Sequence, residues 1–277
     1  MRRFLRALLS PFVFLRDLYQ ARSLIVSLAI NDLKTRFVGS YLGMVWTFIQ
    51  PLTIIAIYWL VFQQGFRTVT PANTNGVPYV VWLVSGMVPW FFFTEGMTAA
   101  TNSLMEYSFL VKQMVFRVSI LPIIKIISAF FVHLVFLGIL FVLSAMYGIA
   151  PSWIHLQLIY YSLCTFFLCT AVSYFTSAIS LFFRDMVQIV NLVVQVGFWA
   201  TPIVWSPMIL PTTWLPRVVK LNPLYYIIEG YRDCFVYQQW IYERPTNLIY
   251  FWVVVLVLLS LGIFVFRKMR PHFADVL

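Results

Sequence analysis

The side chains that could do chemistry in this chain are few and scattered. Its three histidines, His133, His155 and His272, lie far apart and are not flanked by carboxylates at metal-ligand spacing. No catalytic constellation and no metal site follows from them. His133 falls in the middle of an apolar stretch, where an ionisable group can relay protons or sit as a core histidine with its hydrogen bonds satisfied. Cys164, Cys169 and Cys234 give neither a disulfide framework nor a metal spacing, and read as packing residues. There is no G-x-x-x-x-G-K-[ST] phosphate loop, so the chain does not bind ATP by that device. Energy for any active transport must come from a gradient or from another subunit. The chain reads as non-catalytic, with no cofactor of its own.

The informative polar residues are those set into apolar segments. Gln188, Asn191 and Gln195 are spaced by three and four, with Phe198 three further on. They form a stripe on an otherwise apolar helix. Amides facing lipid are costly, so the stripe should face protein, through interhelical hydrogen bonds, or a polar passage. Ser162, Thr165, Cys169, Ser173, Thr176 and Ser180 make a second stripe, of small residues suited to close helix packing. Glu95 and Lys125 sit just inside neighbouring apolar segments and could pair or snorkel. Glu229 and Arg232 are three apart and can pair on one helix face near the outer surface.

The elements that position these residues follow from composition. Of the 277 residues, 62% are hydrophobic and 10% charged, more apolar surface than a soluble domain of this size can hide. Lipid is the matching solvent, and apolar stretches of about 20 residues can span it. Spans are predicted at 41–62, 78–100, 119–147, 155–183, 186–206 and 247–266. The fold class is therefore all-α, a polytopic membrane protein with six transmembrane helices. An amphipathic interface helix is predicted at 22–38, with Val26, Ile30, Leu33 and Phe37 on one face and a basic side towards anionic headgroups. A short surface helix is predicted within 103–117. Pro202, Pro207, Pro211, Pro216 and Pro223 fall within 22 residues, which no continuous helix can hold. Because that stretch stays apolar, it reads as broken, re-entrant gate helices over 207–233, buried against protein.

The net charge of +10 reports topology rather than nucleic acid, since the basic residues cluster at the two ends and in short connections. With both termini cytoplasmic, fourteen of the nineteen Lys and Arg residues lie inside, as the positive-inside rule requires.

Three motifs carry a family resemblance. KTRFVGSYLGMVWTFIQPL (34–52), FFRDMVQIVNLVVQVGFWATPIVW (182–205) and LNPLYYIIEGYRD (221–233) occur in the order found in ABC-2 type permeases that export cell-surface polysaccharides. The ending KMRPHFADVL most resembles the membrane subunit of wall teichoic acid exporters; O-antigen and capsule exporters share the pattern. The resemblance implies a homodimer in the cell membrane, joined to two copies of a separate ATPase that holds ATP and Mg. It implies that 103–117 is a coupling helix, with Phe109, Lys112 and Arg117 as contacts. It implies a lipid-diphosphate-linked polymer as substrate, passing between the first and fifth spans. Gln188, Asn191, Gln195 and Phe198 would then line the passage. Lys34, Arg36 and Lys125 would stand at its entrance, and Asn222, Pro223, Glu229 and Arg232 at its gate. A small-molecule or lipid exporter on the same scaffold, and a membrane-embedded polyprenyl-linked transferase, are the competing classes. The transferase needs clustered acidic or His residues, whereas the nine acidic residues here are dispersed.

Overall fold

The computed structural model describes residues 20–35, 41–66, 74, 76–112, 117–207 and 214–276. Every regular element among them is helical. In chain order these are α1 (Arg22–Thr35), α2 (Trp46–Trp59), α3 (Tyr79–Glu106), α4 (Ser108–Val111), α5 (Leu121–Met146), α6 (Gln157–Phe182), α7 (Met186–Ala200), α8 (Leu215–Lys220), α9 (Pro223–Arg232), α10 (Pro245–Met269) and α11 (Phe273–Val276). Short 3-10 or π turns extend several of them.

Among the described residues, five helical stretches are long and apolar enough to cross a bilayer: Gly43–Gly65, Tyr79–Glu106, Val118–Met146, Trp153–Phe182 and Pro245–His272. The protein is a polytopic helical membrane protein. The span predicted at 186–206 is shorter than expected, because α7 stops at Ala200 after 15 residues. Thr201 turns to extended backbone, the conformation that a following proline imposes on its predecessor.

The bundle is built around α3, which is buried along most of its length and packs against α5, α6 and α9. The small-residue stripe of α6 is buried and makes the α3 contact. Thr176 Oγ1 lies 2.7 Å from Thr101 Oγ1, Ser180 Oγ donates to Thr101 O at 2.9 Å, and Cys169 Sγ approaches Phe93 O at 3.6 Å. Small side chains let backbones come close, and their hydroxyls find partners across the gap. On the far side of α6, α10 approaches so closely that a Cβ on Gly262 would stand 2.7 Å from Ala171 O. His133 joins α5 to α6 and α9. Its Nε2 lies 3.1 Å from Ser162 Oγ and 2.9 Å from Tyr231 OH, and its ring stacks on Phe92. This is a core histidine in a polar knot. All three cysteines are buried.

Two boundaries differ from the sequence reading. Residues 103–106 belong to α3, which runs unbroken past 100 because Thr101, Ser103 and Leu104 are buried and nothing between them breaks the helix. Of the expected coupling helix, the separate piece is the single turn α4; residues 113–116 lie outside the described residues. In α1, the face packed on α5 carries Ile25, Ala29 and Asp32. Of the apolar face read from the sequence, Val26 and Ile30 are exposed and Leu33 is partly buried; Phe37 lies outside the described residues.

Candidate functional site

Three places concentrate polar side chains: the seam between α2 and α7, the broken end of α7, and the end of the bundle where α1 lies.

At the seam, α2 buries only Ile55, and α7 buries only Val190 and Phe198. Gln188, Asn191 and Gln195 are all exposed, on the side of α7 turned away from α3. Phe198 does not belong with them. It is buried, stacks on Tyr58 at 5.4 Å and meets Trp90 edge-on. Helical spacing alone does not explain the split, since Phe198 lies only about 20° round the helix from Asn191; Tyr58 and Trp90, from α2 and α3, close on this end of α7 and cover it. Tyr58, Phe198 and Trp199 continue the seam as an aromatic cluster, in which Trp199 remains exposed. The seam therefore offers amides along one stretch and aromatic rings along the next.

At the end of α7 the helix unwinds and its last carbonyls need donors. Trp205 Nε1 donates to one of them, Trp199 O, at 3.0 Å, and Arg232 serves the carbonyls just beyond the helix. Its Nη1 donates to Pro202 O at 2.8 Å and Nη2 to Ile203 O at 2.7 Å. Nη1 also reaches Glu229 Oε1 at 2.7 Å, so the predicted pair forms, but the arginine is fully buried rather than at a surface. Its guanidinium lies over the Trp82 ring, 3.6 Å from the centroid, a geometry that favours a planar cation. Room comes from Gly86, where a Cβ would stand 2.9 Å from Arg232 Nη2. Tyr79 OH donates to Val204 O at 2.9 Å, and Asn222 Nδ2 to Thr201 Oγ1 at 2.7 Å. Asn222 also caps α9, its Oδ1 accepting from Leu224 N at 3.0 Å, and Pro223 follows at the first helical position, where its missing N–H costs nothing. Beside this break lies a cavity of ≈ 980 Å³ lined by Trp82, Lys220, Tyr225, Glu229, Glu243 and Arg244. Asp233, next to Arg232, pairs with Arg244 at 3.1 Å.

At the α1 end, Lys125 Nζ donates to Asp32 Oδ1 at 2.6 Å and is paired with Glu106. The pairing weighed between Lys125 and Glu95 is thus replaced by two other carboxylates, although Glu95 lines the same ≈ 440 Å³ cavity. The lysine read as an entrance residue thus already has two carboxylate partners. Lys34 is exposed on the last turn of α1; Arg36 lies outside the described residues. Phe109 projects from α4 at 60% exposure, with Lys112 and Arg117 exposed on either side of residues 113–116.

A family model described as ABC-2 type transporter matches residues 23–236, a range that runs from α1 through the seam to the gate. The chain belongs to the ABC-2 type transporter family. It is 30% identical to the O-antigen export system permease protein RfbA of Klebsiella pneumoniae, over 92% of this chain and 95% of that protein. It is 27% identical to the protein of the same name from Myxococcus xanthus, over 94% and 97% of the two chains. As an ABC-2 membrane subunit, the chain is a transport protein of several membrane-crossing helices.

Sequence reasoning missed Asp32, Glu106 and Tyr107 around Lys125, and Trp82 and Gly86 around Arg232. A weak signal existed for one: Asp32 is an acidic residue in an otherwise basic surface helix.

Proposed function

We propose that this chain is the permease subunit of an ATP-binding-cassette exporter that moves a lipid-diphosphate-linked cell-surface polysaccharide of the O-antigen class outward across the cell membrane. It works as a homodimer with two copies of a separate ATPase, which holds ATP and Mg. Six crossings, with α7 and the re-entrant gate together making the fifth, put both termini in the cytoplasm. The names of the relatives favour the O-antigen class over the wall teichoic acid that the C-terminal motif first suggested. A polysaccharide substrate also accounts for the seam better than a small lipophile, which needs no row of amides.

The observation that carries this reading is the exposed row Gln188, Asn191 and Gln195 beside a first span with almost no buried surface. Amides do not belong against acyl chains. A second copy closing on the α2–α7 seam would turn them onto a shared passage, where amides bond sugar hydroxyls and the rings near Trp199 stack on C–H faces. Phe109, Lys112 and Arg117 would meet the ATPase.

The test uses the permease co-expressed with the ATPase encoded beside it. Asn191→Leu with Gln195→Leu should lower polymer export roughly tenfold, the scale of a lost hydrogen-bonding pair, while the complex still assembles and hydrolyses ATP. Unchanged export returns the stripe to packing. ATP hydrolysis by the permease alone would refute the division of labour.

A further inference from the structure

Resting on the proposed ATP-driven export, we propose that Lys125 is a positioning residue that ties the surface helix α1 to the turn contacting the ATPase, so that the two move as one lever. Lys125 lies near the start of α5. Its ammonium meets Asp32 on α1, 93 residues away in sequence, and Glu106, the last residue of α3. It also lies 5.0 Å from the ring centroid of Tyr107, whose hydroxyl donates to the same Asp32 oxygen at 2.8 Å. Four side chains from α1, α5 and the α3–α4 junction therefore converge on one point.

The placement suits transmission rather than storage of stability. Glu106 and Tyr107 directly precede α4, so a push on Phe109 reaches them within one helical turn. From there the path to α1 runs through Lys125 and Asp32. Ile25 and Ala29 are the buried apolar residues of α1 on α5, with Leu28 and Leu33 partly buried beside them. The Lys125–Asp32 pair adds a charged contact at the C-terminal end of this packing. Lys125 and Asp32 are nearly buried, each side chain 11% exposed, while the Glu106 side chain is 50% exposed. The node is firm on the α1 side and open on the α4 side, and the ≈ 440 Å³ cavity beside it, lined also by Thr35, Asn102 and Phe109, leaves room for α1 to tilt. A lysine fits the task because its ammonium presents three rotatable donors and can follow its acceptors through a small rotation. With one cation against two carboxylates, the node would repel an anionic substrate, which separates it from the transport path.

The experiment compares export and ATP hydrolysis in the assembled complex. Lys125→Met keeps the side-chain length and removes the charge; export should fall roughly tenfold, as for loss of a coupling of one to two kcal/mol, with ATP hydrolysis and assembly retained. The exchange Asp32→Lys with Lys125→Asp should restore most of that loss. In the double variant Asp32→Cys with Lys125→Cys, export should be low in reductant and recover when a short thiol cross-linker joins the two positions. Lys125→Met exporting at the wild-type rate, or a cross-linked pair that stays inactive, overturns the proposal. If Lys125→Met does not assemble, the cross-linking result decides. A wild-type complex that exports no glycan overturns the function proposed above, and this lever with it; an active wild-type with an unaffected Lys125→Met overturns the lever alone.

Discussion

Each end of this bundle holds one buried cation against carboxylate, and the two are built to opposite standards. Arg232 is fully enclosed and held mainly by things that cannot move independently: the carbonyls of Pro202 and Ile203, the face of Trp82 and the Glu229 carboxylate one turn away. Lys125 is held by side chains from separate elements, one of them half in water. The first arrangement satisfies backbone carbonyls within the break and fixes the chain around it. The second adds a joint between separate elements. A planar fork suits the first and a swivelling ammonium the second. The gate end is thus made to keep its shape, and the α1 end to change it.

The sharpest way to break this contrast is Arg232→Ala. It strands two carbonyls and a carboxylate in a buried site, and loss of one partner of a buried ion pair costs roughly 3–5 kcal/mol. The variant should yield little monodisperse protein in detergent, whereas Lys125→Met, which leaves Asp32 its Tyr107 hydrogen bond and Glu106 half in water, should lose distinctly less. Equal stability of the two in thermal scans would erase the distinction. A milder probe is Gly86→Ala, whose Cβ would press on Arg232 Nη2. Overpacking of this kind costs about 1–3 kcal/mol, so a lowered melting temperature without loss of fold is expected.

Much of this architecture was legible in the sequence, for identifiable reasons. Long apolar runs gave the spans, since lipid admits little else. The proline series gave the break after α7, and i,i+3 spacing gave the Glu229–Arg232 pair. What spacing cannot reveal is a partner on another helix. Asp32 and Lys125 are far apart in the chain, and nothing local to either predicts their meeting. Helical periodicity likewise grouped Phe198 with the three amides, although Tyr58 and Trp90 from other helices bury it. The amides are exposed on α7, and a single chain does not say which surface covers them. The extent of α3 was misjudged for a related reason: Glu106 and Ser103 are polar and read as the end of a span, yet Ser103 is buried in contact with the rest of the bundle.

The brevity of α7 has a consequence for the lipid around it. Its 15 residues rise about 22 Å, against a hydrocarbon core of about 30 Å. Beyond Ala200 the chain turns back into protein instead of continuing outward, so acyl chains beside this helix must shorten or splay to cover it, a case of hydrophobic mismatch. Longer acyl chains raise the elastic strain at this helix, so the thickness of the surrounding bilayer acts on the one crossing that is not a full-length helix.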